Sequence, residues 1–192
     1  LKPKGASFEL NTDESILSGV LPTGIDFGPD GALYLADWVN GWGSKDYGRV
    51  WKLDVTEETN DLAQERLETQ RLMKHNFKDD KSENLVKLLS YGDMRIRQKA
   101  QFELAKRTFW GYRALKDVLK NDENQFARIH AIWGIGQIAA NNKDDAKPLL
   151  DLLHDSDSEI IAQSAKVLGD LRYEPAADTL ISLTTHENDR VK

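Results

Sequence analysis

The chain has 192 residues, 40% of them hydrophobic, and a formal net charge of −6; this suits one or two domains with real cores and supplies no basic field to release counterions from phosphates, so nucleic-acid binding is not expected. It contains no apolar run near the ~20 residues that cross a bilayer, and no charged-then-apolar leader opens it. Cysteine is absent, which removes disulfides, thiolate nucleophiles and Cys-ligated zinc or iron–sulfur sites together.

The acidic excess is local. Residues 1–80 carry 9 Lys/Arg against 15 Asp/Glu, whereas residues 81–192 carry 17 of each; in that neutral set, Arg95, Arg97, Lys99, Lys106 and Arg107 cluster closely enough to form a local patch. The chain opens on Leu1 and stops at "HENDRVK", partway through what reads below as a repeat unit, so a piece of a longer protein is expected.

In chain order, "ASFEL" (6–10) reads as a strand, then "TGIDF" (23–27) and "ALYLAD" (32–37) as two half-buried strands. The "GPDG" between them puts Pro29 where φ near −65° is wanted and Gly31 where φ turns positive, a hairpin signal. The ten-residue loop "VNGWGSKDYG" follows, and then "RVWKLDV" as a further strand. Four short antiparallel strands are marginal alone because open edges leave backbone unpaired, and they make sense as one blade of a radial structure. The string "LPTGIDFGPDGALYLADWVNGW…YGRVWKLD" resembles the closing blade of the six-bladed propellers of soluble sugar dehydrogenases that use pyrroloquinoline quinone (PQQ).

From about residue 61 the pattern turns helical, with 61–76 as a linking helix. Beyond it "DMRIRQKAQFELA", "NQFARIHAIWGIG", "DSEIIAQSAKVLG" and "NDRVK" superpose, placing Ile96, Ala127, Ile160 and Val191 at steps of 31, 33 and 31. Small residues follow at Ala100, Ala131 and Ser164, then at Ala105, Gly136 and Gly169. An apolar helix precedes each unit: "ENLVKLLS", "YRALKDVLK", "AKPLLDLLH" and "AADTLISLT". A helix pair repeated at a short fixed period marks a solenoid, because one pair cannot bury its apolar face alone. These units resemble HEAT repeats, with Asp93 and Asp157 as caps of the second helices. Arg97 and Arg128 hold a position where that family often has Arg; Ile161 in the third unit departs from it.

The fold expected is therefore mainly α: a HEAT-like α-α superhelix, a right-handed solenoid, preceded by a small antiparallel β-meander that is a partial propeller blade. The divisions expected are 1–56 for the meander, 57–82 for the link, and 83–192 for about 3.5 repeats, the last truncated. A blade running into HEAT repeats is similar to a family of large extracytoplasmic bacterial membrane-bound dehydrogenases, which carry a propeller, HEAT repeats and commonly a c-type cytochrome domain. That resemblance implies a periplasmic or secreted parent, with PQQ, calcium and haem c held elsewhere in it, since no Cys-x-x-Cys-His lies within these residues. It also implies other domains of the parent, or a separate protein, as partners of the repeats.

Candidate site residues fall in two places. In the long loop and its flanks, Trp38, Trp42 and Tyr47 can stack on a sugar ring while Asp37, Asn40 and Arg49 supply hydrogen bonds; alternatively the rings cover the first helix of the solenoid, large aromatic faces being strong sources of burial energy. In the repeats, Arg97, Arg128 and His130 lie on second helices. His75, His130, His154 and His186 show no metal-ligand spacing, so His130 is expected to be structural or on the surface. Asp26, Asp30, Asp37 and Asp46 offer carboxylates that a calcium ion could use, but Asp30 is read as a turn residue and Asp26 and Asp37 as strand-end residues ahead of that role. "DSDSEI" (155–160) fails as a calcium loop because Ile160 and Lys166 stand where Gly and Glu are required. The "GIG" at 134–136 is expected to pack within a helix. No catalytic constellation is legible, and the best-supported reading is a non-catalytic scaffold; the alternative is a wall of a quinone-dependent sugar or alcohol dehydrogenase site completed by the parent.

Overall fold

A computed structural model gives the fold and describes residues 1–4, 7–39, 43, 47–56 and 61–192. The chain divides into two compact units, Thr12–His75 and Leu1–Asn11 with Asn76–Lys192.

Strands β1 (Lys2–Lys4) and β2 (Ser7–Glu9) pair with each other, with Lys2 opposite Glu9 and Lys4 opposite Ser7. Of the segment 6–10, expected as a fourth strand of the meander, Ser7–Glu9 therefore belong to a separate ribbon. The two strands lie close in sequence, so their pairing costs little chain-closure entropy, and Lys4 meets Glu9 at 3.2 Å.

In the unit Thr12–His75, β3 (Pro22–Phe27), β4 (Leu33–Asp37) and β5 (Arg49–Leu53) form an antiparallel meander in that order. The hairpin turn forms as its residues dictate: Gly28 N–H donates to Ala32 O at 2.9 Å, and Gly31 takes φ +77°. Gly31 is needed twice over, since a Cβ there would also meet Arg66 Nε at 2.8 Å. Opposed pairs Leu33–Leu53, Leu35–Trp51 and Asp37–Arg49 line one face. Helix α1 (Ala63–Lys74) belongs to this unit. Its Arg66 donates to the Asp30 carbonyl at 2.7 and 3.1 Å and to Asp54 Oδ1 at 2.7 Å, tying helix to hairpin turn. The apolar Ile25, Phe27 and Val50 of the sheet remain largely exposed.

The other unit stacks α2 (Ser82–Leu88), α3 (Met94–Lys106), α4 (Thr108–Asn121), α5 (Gln125–Ala139), α6 (Ser158–Asp170) and α7 (Ala177–Leu183). This is the HEAT-like repeat expected from the sequence. Ile96, Ala127 and Ile160 are each 0% exposed and Val191 is buried, so the periodic column is the core seam. A fully buried Ile side chain stabilises by roughly 1.5–3 kcal/mol relative to exposure, which is why single pairs do not stand alone.

Caps repeat in step with the seam. Asp93 accepts from Arg95 N, Asn124 from Ala127 N, Asp157 from Glu159 N, and Asn188 from Arg190 N. The α3–α4 corner is tight: Thr108 has φ +46°, and a Cβ on Gly111 would collide with the Leu104 carbonyl oxygen. Gly134 and Gly136 pack as expected, a Cβ at either approaching Leu115 or Val167 within 2.8 Å, whereas the space at Gly169 is open.

In the repeats, too, an element differs from expectation. The segment "AKPLLDLLH" is not an α-helix but two 3₁₀ stretches, Lys143–Leu149 and Asp151–His154. Pro148 offers no N–H and its ring crowds the preceding turn, so an α-helical ladder cannot run through it. Ala146, Leu149, Leu152 and Leu153 are nonetheless buried, so the segment fills the place of a first helix.

Candidate partner-binding face

The sheet places Asp37 at a convergence of donors. Its carboxylate accepts from Leu21 N (3.0 Å), Val39 N (2.9 Å) and Trp51 Nε1 (3.0 Å), and pairs with Arg49 Nη2 at 3.1 Å. The Trp51 hydrogen bond, then the Leu21 N–H, outweigh burial and draw its pKa down to about 2. The Arg49 guanidinium also lies over the Trp51 ring, 4.9 Å from its centroid. Asp37 and Arg49 are thus brought together, with Asp37 committed to holding the start of the loop. Trp38 is 42% exposed and Tyr47 is also exposed; Asn40, Trp42 and Asp46 lie outside the described residues. Asp30 closes the hairpin turn, accepting from Ala32 N and Tyr34 Oη and pairing with Lys52 at 2.9 Å, which pulls its pKa to about 2. Asp26 accepts from Phe27 N. Among the described residues no group of three or more His, Cys, Asp or Glu side chains is gathered to hold a metal ion.

The repeats bring Arg97 and His130 together in a buried network between α3 and α5. Arg97 donates through Nε to His130 Nε2 at 3.2 Å and through Nη1 to the carbonyls of Tyr91 (2.7 Å) and Gly92 (2.8 Å). His130, 3% exposed, has Nδ1 at 2.7 Å from Gln101 Oε1. Gln101 Nε2 in turn donates to Gln137 Oε1 at 3.2 Å. This pattern assigns the proton: Gln101 Oε1 only accepts, so neutral His130 carries its hydrogen on Nδ1 and accepts at Nε2. Burial first, and the neighbouring Arg97 charge second, lower the His130 pKa to about 4. The Phe126 ring covers the Arg97 guanidinium, 4.5 Å from its carbon to the ring centroid.

The network continues along the second helices. His130 meets Trp133 edge-on at 5.0 Å between centroids, and Trp133 Nε1 donates to Gln163 Oε1 at 2.8 Å. Gln163 Nε2 donates to Glu159 Oε1, which with Oε2 receives the Arg190 fork at 2.8 and 2.9 Å. Each unit is thus pinned to the next by polar side chains beside the apolar seam. The C-terminal part of the helical stack is similar to HEAT repeats. The family model for HEAT repeats covers residues 112–192, and no curated protein matches the chain.

Within these HEAT-like units Arg97 and Arg128 occupy equivalent positions but do different work. Arg97 ties down carbonyls of the loop before its own helix, whereas Arg128 reaches Asp155 in the loop of the following unit, its Nη2 lying 2.5 Å from Oδ2. Burial opposes the charge on Asp155, but the Arg128 hydrogen bond and the Asp157 N–H outweigh it and leave its carboxyl below the ordinary value. Gln98, Gln137, Trp133, Lys166 and Leu171 line a groove of about 330 Å³ across α3, α5 and α6, with Gln101 at its base. Gln101, Gln137, Trp133 and Gln163 were not among the candidates of the sequence. The available signal was their spacing: 36 residues from Gln101 to Gln137 and 30 from Trp133 to Gln163, close to one repeat, as required of side chains facing the next unit.

Proposed function

We propose that the repeats are a non-catalytic scaffold that holds a polypeptide across the groove of α3, α5 and α6. The observation that carries this reading is the amide-lined groove backed by the buried Arg97–His130–Gln101 network. The exposed Gln98 and Gln137 offer donors and acceptors matched to peptide groups, and Trp133 offers an aromatic wall. Because Gln101 and Trp133 are already hydrogen-bonded, less side-chain entropy is lost when a partner settles on them. Peptides selected from a random library against the full chain test this. Binding weakened about tenfold or more by Gln137→Ala or Trp133→Ala sustains the proposal; selected peptides indifferent to both substitutions overturn it.

A second reading concerns the meander. We propose that it is one blade of a sugar-dehydrogenase-like propeller in a larger extracytoplasmic protein, whose other blades would hold the quinone. Support comes from Ile25, Phe27 and Val50, which stay exposed here and which neighbouring blades would bury. The extended reading frame is the test. Further blades upstream and a Cys-x-x-Cys-His motif sustain it, and a frame lacking blades overturns it.

A further inference from the structure

A larger groove lies on the first helices, distinct from the face discussed above. It runs between α2 and α4, with a volume of about 1290 Å³. Val86, Ala114 and Val118 make an apolar floor, and Trp110, 65% exposed, stands as a wall at one end. The neighbouring Phe109 is equally exposed and packs edge-on against Trp110 at 5.2 Å. Two large aromatics left in water at one helix start form a patch of the kind that marks an interaction site.

The groove has a direction. Arg107, at the start of α4, donates to Ser82 Oγ (3.3 Å) and Asp80 O (2.6 Å) at the start of α2, so the two helices present their N-terminal ends at the same place. Lys81 and Arg107 lie at that end, where the dipole of α4 adds partial positive charge, and Arg113 follows in the second turn of α4, one turn before Asp117. Asp117, Asp122 and Glu123 lie towards the other end, where the dipole of α4 is negative. On α2, Glu83 and Lys87 oppose this trend but are outnumbered. Arg113, Lys87 and the Asp117 carboxylate have no ion-pair partner among the described residues. The 14 residues of α4 give an axis of about 21 Å at ~1.5 Å per residue, long enough to seat several turns of another helix.

We infer that this groove docks an amphipathic helix of another protein, antiparallel to α4, with basic side chains in its N-terminal half and acidic ones in its C-terminal half. The antiparallel sense places the incoming helix's positive end over Asp117, Asp122 and Glu123 and its negative end over Lys81 and Arg113, so side-chain charge and dipole agree. Its apolar stripe fills the floor and a large residue packs on Trp110, the arrangement of helix-in-groove recognition.

Two synthetic amphipathic helices of the length of α4 decide the matter, equal in composition and apolar stripe, one with its basic residues first and the other reversed. Titrated calorimetrically into the full chain, the basic-first peptide binds about tenfold more tightly, Arg113→Glu erases the difference, and Trp110→Ala weakens both by about tenfold. Trp110 is exposed, so the variant keeps its far-ultraviolet dichroism. The Trp133→Ala variant, which disables the second-helix groove, leaves these affinities unchanged, so failure of the earlier proposal is distinguishable from failure of this one. Equal affinity for both peptides, no binding of either, binding lost with Trp133→Ala, or self-association of the chain through Trp110 overturns it.

Discussion

The meander and the repeats are stabilised by opposite means. In the repeats, Ile96, Ala127, Ile132 and Ile160 sit in a seam closed to water, and polar side chains fasten neighbours beside it. In the meander, every residue of β3 is exposed, and the fixed points are carboxylates: Asp37 gathers four donors and Asp30 joins turn, tyrosine and lysine. A seam is non-directional and tolerates drift in local structure, as the 3₁₀ replacement at Lys143–Leu149 shows. A carboxylate hub is directional, and little substitutes for it when it goes. The lesson is that one can be eroded by degrees while the other fails at a point.

The sharpest break is therefore at Asp37. Asp37→Ala strands Trp51 Nε1 and the N–H groups of Leu21 and Val39, and amide hydrogen exchange across β4 and β5 should rise to the unprotected rate while α5 stays protected. Ile160→Ala is the counterpart in the seam. It costs about 2–5 kcal/mol, through lost transfer energy and the cavity left behind, and lowers the denaturant midpoint of the helical signal with the sheet amides unmoved. If either substitution unprotects both regions alike, the contrast fails.

Acid separates the two regions on the pH axis. The His130 pKa lies at about 4 in the folded chain against an ordinary 6.5, so between these values the unfolded chain binds a proton that the folded chain refuses. The repeats therefore lose stability as pH falls from about 6.5 to about 4, by roughly 3 kcal/mol for a shift of that size, and the loss levels off below. Asp30 and Asp37, held at about 2 against 3.8, keep their contribution until the pH drops below about 3.8 and lose it as pH falls through about 2. Urea titrations from pH 7 to pH 4.5, read by hydrogen exchange, should show α5 weakening and β4 constant. His130→Leu should lower stability at pH 7 yet remove the slope.

How much of this was legible follows from the length scale of each signal. The seam was, because a column at steps of 31, 33 and 31 is a property of the chain in one dimension. The strands and hairpin turn were, because GPDG specifies its own backbone. The caps were half legible: Asp93 and Asp157 stood out as acids, while Asn124 and Asn188 hold the same column and do the same work through an amide oxygen. The Pro148 segment misled because its apolar spacing fits a helix that its backbone cannot form. Segment 6–10 misled because alternation announces a strand without naming its partner. Least legible was the network. Gln101 reaches His130 across 29 residues and Gln137 across 36, values straddling the repeat, so the period points to the neighbouring unit while the stagger of adjacent helices decides which residue is met.

Ser164 offers the finest adjustment to the seam. It occupies the small-residue column of Ala100 and Ala131 and is fully buried, yet its hydroxyl has no hydrogen-bond partner among the described residues. A hydroxyl taken from water without compensation costs free energy that a methyl group in the same space does not, and alanine is also the better helix former. Ser164→Ala should therefore stabilise the repeats by about 1 kcal/mol, seen as a higher denaturant midpoint at unchanged slope. The small size of the column is what lets α6 pack closely, so Ser164→Val, which adds volume without a partner problem, should destabilise by about 1–3 kcal/mol through overpacking. Gain with Ala and loss with Val would place the penalty in the hydroxyl; a loss with Ala would mean that the oxygen is satisfied and that the column tolerates a polar group by design.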